Sequence, residues 1–238
     1  MSDLMDLMAA LRQDTERRSE AEHRAALDLE VPWQWHGVSG FGALAEDGLR
    51  PALQRRRANR FFADRPVDTE LLQRMIEAGQ AADAALWPLE WAARPLEFLV
   101  VARAVTGLRP AIHRHGPDGF EALADISGTE ELSALVLQPE FALAPAILLA
   151  TGSLEDALDS AGSHGHRRLL ERSGAACEAA WLTAVDGGLS GSIFAGFLPS
   201  ALKRLLGIDG FRRTQLLALA VGHAYDASGE YGRGSANG

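Results

Sequence analysis

The stretch QRRRANRFFADRPV, residues 54–67, holds three consecutive arginines, Arg55–Arg57, then a fourth and a fifth, Arg60 and Arg65, just before a predicted helix. The planar guanidinium group forms paired, charge-assisted hydrogen bonds with phosphate oxygens, and a turn before a helix can point several such groups at one small dianion. Lys203 is the only lysine of the chain, so arginine is its usual cation, and an exposed basic face explains the run equally well. The run therefore indicates either a phosphate site or a solvated basic surface.

The composition narrows the choice of anion. The chain of 238 residues has 32 acidic and 23 basic side chains and a net charge of −9, so a nucleic acid would meet net repulsion. No strand–GxGxxG–helix unit and no GxxxxGK[ST] loop is present, so neither of these routes to dinucleotide or nucleoside-triphosphate binding is indicated. The only cysteine, Cys177, lies in a helical-looking apolar run, so we expect a buried thiol, no intrachain disulfide and no cysteine-based metal cluster.

Two histidine pairs have a spacing that could bind a metal. His113 and His115 form HRH, and His164 and His166 form HGH. A strand would place both imidazoles of a pair on one face, where they can bind a metal ion. Both pairs adjoin turns, and neither has a third ligand of clear position. Solvated turn histidines are therefore the favoured interpretation.

The sequence predicts a cytoplasmic protein that binds no membrane. Its first residues, MSDLMDLMAALRQD, lack the apolar core of a signal peptide. Its most apolar stretch, FALAPAILLATG, is too short to span a bilayer and contains a proline.

Hydrophobic periodicity predicts one α+β domain in which helices alternate with apolar strands. Asp68 or Thr69 can cap a helix that carries an apolar stripe from Leu71 to Ile76. Other helices are predicted over 3–28, 43–57, 129–137, 165–186 and 198–208, apolar strand-like segments over 96–105, 144–152, 189–197 and 213–224, a hairpin over 110–123 and a loop over 86–95.

Three segments resemble the FMN-dependent nitroreductase superfamily in order and spacing: RRRANRFFADRPVDTELLQRMIEAG, PLEWAARPLEFLVV, and GLSGSIFAGFLPSALKRLLGI followed by LLALAVG. The resemblance covers about residues 52–223 and is greatest to the azoline (thiazoline and oxazoline) dehydrogenases of modified-peptide pathways. It implies an α+β fold with a central mixed sheet flanked by helices. We then expect a helical N-terminal extension over 1–50, an FMN-binding domain over 51–225 and a flexible or partner-crossing tail over 226–238.

The resemblance also implies which residues bind FMN. Arg56 and Arg57 would hold the phosphate and ribityl region, and Ala58 takes the place of the serine usual in the family. Arg60 would lie near the N1/O2 edge of the isoalloxazine, where a fixed cation stabilises the negative charge of reduced flavin.

The third segment and the tail would complete this site. The backbone N–H groups of Ala195 and Gly196 would face flavin N5 and O4, because small residues permit close approach to a flat ring. Family members are usually homodimers with FMN at the subunit interface. Arg233 of the tail would then reach a phosphate, with a disordered tail as the alternative.

The chain departs from the family pattern at several positions. Ala92 and Arg94 stand where a polar residue usually lies near the pyrimidine edge of the ring. The Lys-Tyr pair of the azoline dehydrogenases, their acid/base groups, is missing from DALDSAGSHGHRR. His164 or His166 is our candidate for the proton-transfer group, since imidazole titrates near neutrality.

Three functions follow from these residues. The first is an FMN-dependent dehydrogenase that oxidises a peptide-derived heterocycle or an amino-acid-derived bond in natural-product biosynthesis, with oxygen reoxidising the flavin. The second is an NAD(P)H-dependent reductase of nitro or quinone compounds. The third is a nitroreductase-like binding or scaffold subunit without flavin, which Ala58, Ala92 and the missing Lys-Tyr pair keep open.

Overall fold

The structure is a computed structural model that describes residues 46–126 and 128–225, all within one compact unit. The predicted N-terminal helix over 3–28 lies outside these residues, as does the tail with Arg233.

Seven α-helices and two short 3₁₀ helices surround a sheet in this part of the chain. The α-helices are α1 (Glu46–Arg55), α2 (Thr69–Leu86), α3 (Pro88–Ala93), α4 (Thr129–Ser133), α5 (Leu154–Ala161), α6 (Gly165–Asp186) and α7 (Pro199–Leu206). The 3₁₀ helices are Pro139–Leu143 and Gly162–His164.

The described strands form one six-stranded sheet in the order β3-β2-β1-β4-β6-β5. They are β1 (Glu97–Ala102), β2 (Ala111–Gly116), β3 (Gly119–Asp125), β4 (Ala146–Gly152), β5 (Ser190–Phe194) and β6 (Thr214–Gly222). All five neighbouring pairs are antiparallel. The expected α+β fold is confirmed, but the sheet is antiparallel where a mixed one was expected. The parallel contacts of the described chain are two isolated bridges, Ala58 with Gly191 of β5 and Val67 with Val105.

Both faces of the sheet are covered, which explains why its central strands are apolar at nearly every position. Successive residues of β1 point to opposite faces. Phe98 and Val100 join the apolar cluster that contains residues of α2 and α6, while Leu99 and Val101 join a second cluster with Phe141 and residues of α7. The layer order is therefore helices, sheet, helices.

Helices α2 and α6 pack together over the face of the sheet that carries the larger apolar cluster. Helix α2 begins where the sequence predicts. The carboxylate of Asp68 accepts a hydrogen bond from the backbone N–H of Glu70, an N-cap contact. Gly79 lets the two helices approach closely, because a Cβ there would lie 2.9 Å from the carbonyl oxygen of Ala176. Helix α6 has the predicted bounds and ends before Gly187.

Two local predictions need correction. The expected loop over 86–95 contains the short helix α3, which begins at Pro88, a residue favoured at the first turn. Helix α5, which Ser153 caps by accepting a hydrogen bond from Asp156 N–H, was not predicted. The hairpin over 110–123 is confirmed, with β2 and β3 joined at a turn where Gly119 has φ +99°.

Candidate functional site

The arginine segment lies directly beside strand β5. Ala58 forms a parallel bridge with Gly191, and the backbone N–H of Asn59 donates to the Gly191 carbonyl oxygen at 2.9 Å. A Cβ on Gly191 would lie 2.8 Å from the Ala220 carbonyl oxygen and 3.1 Å from Nε1 of Trp181, so only glycine fits there without a shift. The fold therefore brings two of the three resembling segments into contact.

Arg56 faces inward, onto helix α6. Its Nε lies 3.1 Å from Oε1 of Glu178, and its guanidinium carbon lies 4.6 Å from the centre of the Trp181 ring. Trp181 is buried, so the ring offers a fixed face to the cation. The Nε contact and the ring fix the orientation of the guanidinium group.

Arg57 and Arg60 are the more exposed members of the run. Nη1 of Arg57 donates to the carbonyl oxygens of Gln54 at 2.9 Å and Arg56 at 2.8 Å, at the C-terminal end of α1. Nη1 of Arg60 lies 3.4 Å from Oε1 of Glu140, a loose contact on the surface. Arg55 pairs with Asp186 and is also exposed.

The turn after β5 lies close to the partner of Arg60. Leu137 N–H donates to the Gly196 carbonyl oxygen at 2.6 Å, and Phe197 N–H donates to that of Ala195 at 3.0 Å. Glu140 belongs to the 3₁₀ helix that begins two residues after Leu137. Residues 137–140 thus contact both Gly196 and Arg60, so the structure brings Arg60 near the Ala195–Gly196 turn.

These donors fit an anionic ligand such as the phosphate of FMN. Within the described part of the chain, the Arg57 side chain donates hydrogen bonds through Nη1 alone. Its Nε and Nη2 groups therefore remain for a ligand. The ion pair of Arg56 with Glu178 joins Nε to Oε1, and no hydrogen bond joins the two Nη groups of Arg56 to the described residues. Ala58 is exposed and supplies no hydroxyl group, so any binding here depends on guanidinium and backbone donors.

The chain beyond β6 also pairs with the arginine segment. Ala63 N–H donates to the His223 carbonyl oxygen at 2.9 Å, and Phe62 forms an antiparallel bridge with Ala224. Burial, and secondarily the charge of Arg65, lowers the pKa of His223 below its ordinary value. The sequence argument did not select His223, because a lone histidine after a strand has no spacing signal.

The candidate proton-transfer histidines lie at the other end of α6. His164 ends the 3₁₀ helix before α6, and His166 is exposed in the first turn of α6. Helix α6 rises 1.5 Å per residue, so His166 lies about 18 Å along its axis from Glu178, the partner of Arg56. One copy of the chain does not bring these histidines to the arginine segment.

The other histidine pair occupies strand β2. His113 is 3% exposed, and its Nε2 lies 3.0 Å from the Arg109 carbonyl oxygen, so the expected solvated turn position is wrong for this residue. His113 and His115 share one face of the strand, where both rings contact Phe120. In residues 46–126 and 128–225 no group of three or more histidine, cysteine or carboxylate side chains could hold a metal ion.

The remaining site residues are also placed. Ala92 is exposed on α3, and Arg94, just beyond that helix, pairs with Asp156 at 2.7 Å. Cys177 is buried as expected, and burial raises the pKa of its thiol to about 12, so it is no nucleophile. None of the described helices is both long enough and apolar enough to cross a bilayer.

Comparison with protein families gives one match to most of the described chain. The model of the nitroreductase family matches residues 53–223. A comparison with curated protein sequences found no match.

Solved structures of similar fold share little sequence with the chain. A structure described as a putative nitroreductase from Anabaena variabilis has a TM-score of 0.62 at 19% identity, covering 74% of this chain and 38% of its own. One so described from Ralstonia eutropha has a TM-score of 0.56 at 17% identity, covering 75% and 83%. The E. coli microcin synthetase McbBCD complex with truncated pro-MccB17 bound has a TM-score of 0.58 at 16% identity, covering 72% and 70%. The present chain thus spans well under half of the Anabaena chain and about two thirds or more of the other two.

Proposed function

Because this chain belongs to the nitroreductase family, we propose that it is an FMN-dependent oxidoreductase whose FMN-binding domain spans residues 51–225. The observation that carries the proposal is the contact between Ala58 and Gly191, which brings the arginine segment beside the strand that leads to Ala195 and Gly196. Guanidinium groups and close backbone approach are what a phosphate and a flat ring require.

Each arginine has a distinct part in this proposal. Arg57 binds the phosphate with the N–H groups that do not contact the end of α1. Arg56 contributes its Nη groups while Glu178 and Trp181 fix its orientation. Arg60 contacts Glu140, which lies three residues from the Leu137 that contacts Gly196, and would place a positive charge at the pyrimidine edge of the ring. Arg233 stays a proposed phosphate ligand outside the described residues.

In the proposed dehydrogenation, FMN and the histidines have separate roles. Bound FMN supplies a hydride acceptor for the two-electron oxidation of a C–H bond. His164 or His166 accepts the proton that the substrate loses in the same oxidation. Since one chain keeps His166 about 18 Å along α6 from Glu178, the partner of Arg56, we propose a homodimer in which arginines of one copy and histidines of the other form one site.

The proposed substrate is a peptide-derived heterocycle or an amino-acid-derived bond in natural-product biosynthesis. The similarity to the microcin synthetase complex, which has truncated pro-MccB17 bound, supports this choice. The similarity to structures described as nitroreductases favours a second candidate, an NAD(P)H-dependent reductase of nitro or quinone compounds.

Absorbance at about 450 nm, where oxidised flavins absorb, tests the cofactor proposal. The purified full-length protein, after incubation with FMN and desalting, should retain the yellow chromophore. The double variant Arg57→Ala/Arg60→Ala should bind FMN about tenfold or more weakly, because two charge-assisted contacts are removed. Arg74→Ala is the matched control, since Arg74 is an exposed arginine on α2 away from the arginine segment.

The outcomes separate the candidate functions. A protein that stays colourless with added FMN overturns both enzyme candidates and leaves a flavin-free binding subunit. Full retention of FMN in the double variant shows that the phosphate lies elsewhere. Rapid bleaching of the yellow protein by NADH without oxygen supports the reductase, whereas no bleaching supports the dehydrogenase.

A further inference from the structure

A pocket of about 290 Å³ lies between α3, α5 and the first turns of α6. It is separate from the arginine segment and from the Ala195–Gly196 turn, none of which lines it. Gly165, which lines the pocket, lies between His164 and His166 in sequence. This volume is just below that of most ligand pockets, which hold roughly 300–1,000 Å³, so we expect the bound group to be small, about the size of a single ring.

Most of the surface that lines this pocket is apolar, although charged side chains and two serines also line it. Leu96 and Leu169 are 1% and 3% exposed and form part of its floor. Gly152 lets these leucines pack closely, because a Cβ there would lie 3.0 Å from Leu169 and 3.3 Å from Leu96. Ala93 and Ala157 are small wall residues on opposite sides, from α3 and α5.

Every charged residue that lines the pocket already has an opposite charge. Arg94 pairs with Asp156 at 2.7 Å, and Arg168 pairs with Glu90, so two ion pairs join the α3 region to α5 and α6. The buried Arg172 makes two hydrogen bonds to Asp83, at 2.7 and 2.8 Å. A charged ligand would have to compete with these pairs, whereas an uncharged apolar group is stabilised by burial alone.

We propose that this pocket binds an uncharged aromatic or aliphatic group of the substrate. The assignment to the substrate rests on the proposed function, because the pocket adjoins the two histidines that would accept the proton. The group is either the ring of a small compound or an apolar side chain of a peptide. Binding itself requires neither FMN nor turnover.

Calorimetric titration of the full-length protein tests the pocket with three probes. Indole represents a free ring, N-acetylphenylalanine amide a peptide side chain, and phenylacetate a ring with a negative charge. We expect at least one uncharged probe to bind, and phenylacetate to bind more weakly. Binding of indole identifies a small ring as a sufficient ligand, whereas binding of the amide alone assigns the pocket to a peptide side chain.

Two variants locate the bound probe. Ala93→Leu fills the pocket from an exposed position that cannot disturb the core, and Ala157→Leu fills it from the other side. Each variant should weaken binding of the uncharged probe about tenfold, because the added carbon atoms occupy space that the probe needs. Ala84→Leu, at a half-buried alanine of α2 outside the pocket, is the matched control and should bind as the unchanged protein does.

The proposal is overturned if neither uncharged probe binds, if phenylacetate binds as tightly as they do, or if Ala93→Leu binds as tightly as Ala84→Leu. Absorbance at about 450 nm is read on the same samples after FMN loading. If the protein binds FMN but neither uncharged probe, only the pocket proposal is rejected. If it binds an uncharged probe but not FMN, only the proposed function is rejected.

Discussion

The two ends of α6 are held to the rest of the fold by different interactions. At the arginine end, which we define as Glu178 and Trp181 with Arg56 and β5, the contacts are a stacked cation and closely approaching backbones. At the histidine end, from His164 to Arg172, a buried ion pair and a pocket lie between helices. Close backbone approach occurs at both ends, since an added Cβ would meet a backbone carbonyl oxygen at Gly191 and at Gly165. The ends differ in charge, because the ion pair of the histidine end is buried and that of the arginine end is partly exposed.

Removing charge at the histidine end should have the largest effect. Asp83 is fully buried, pairs with Arg172 and also accepts a hydrogen bond from the backbone N–H of Leu96 at 3.2 Å. Asp83→Asn leaves the Arg172 guanidinium buried without its counter-charge, so we expect a loss of about 3–5 kcal/mol in the free energy of unfolding. Urea denaturation followed by circular dichroism measures it.

An exposed ion pair of the same helix is the control for this prediction. Arg167 and Glu171 pair at 3.4 Å one turn apart on the surface of α6. Arg167→Gln should change the free energy of unfolding by about 0.5 kcal/mol or less, because solvent screens such pairs. Similar effects of Asp83→Asn and Arg167→Gln would contradict the assignment of Asp83 and Arg172 as the main connection at this end.

Adding one methyl group at the arginine end should have an intermediate effect. A Cβ on Gly191 would lie 2.8 Å from the Ala220 carbonyl oxygen, a backbone atom that cannot rotate away. Gly191→Ala should therefore cost about 1–3 kcal/mol of stability. It should also weaken FMN binding, because β5 must shift relative to β6 and the shift changes the contact of Gly191 with Ala58.

Gly174→Ala is the matched control on α6, since its nearest neighbour, a side-chain carbon of Leu217, would lie at 3.9 Å. This substitution should be neutral or slightly stabilising, because alanine favours helix. Denaturation and FMN titration of both variants test the contrast. Unchanged FMN affinity in Gly191→Ala, together with the expected loss of stability, would show that the Ala58–Gly191 contact supports the fold but not the site.

The two ends also differ in how far the sequence predicts them. Helix α6, the Asp68 cap of α2 and the apolar strands follow from local patterns, and the structure confirms them. The proximity of the arginine segment to SGSIFAGF follows from the resemblance, since no local pattern links positions so far apart in sequence. The contact of Arg56 with Trp181 has no such signal, because it depends on the rotation of α6 against β5.

The structure of the histidine end follows less from the sequence, because it also depends on how helices pack against each other. Helices α3 and α5 are six and eight residues long, so their stability depends on tertiary contacts such as the ion pair of Arg94 with Asp156. The pairing of Asp83 with Arg172 joins residues of two helices whose facing sides become known only once the helices are packed. His113 shows the same limit, since it is buried in β2 although the turn next to it in sequence indicates an exposed position.

The smallest effect should come from pH, through His223 beside the arginine end. Burial, then the charge of Arg65, lowers the pKa of His223 below its ordinary value of 6.5, so the fold favours the neutral ring. As the pH falls through 6.5, the unfolded chain binds a proton that the folded chain does not yet bind, and stability decreases until the pKa of folded His223 is reached. His223→Gln should make the urea midpoint less dependent on pH between about 7.5 and about 5.5. Arg65→Gln is the companion variant: it should raise the pKa of His223 in an NMR titration, and an unchanged pKa would show that burial alone causes the shift.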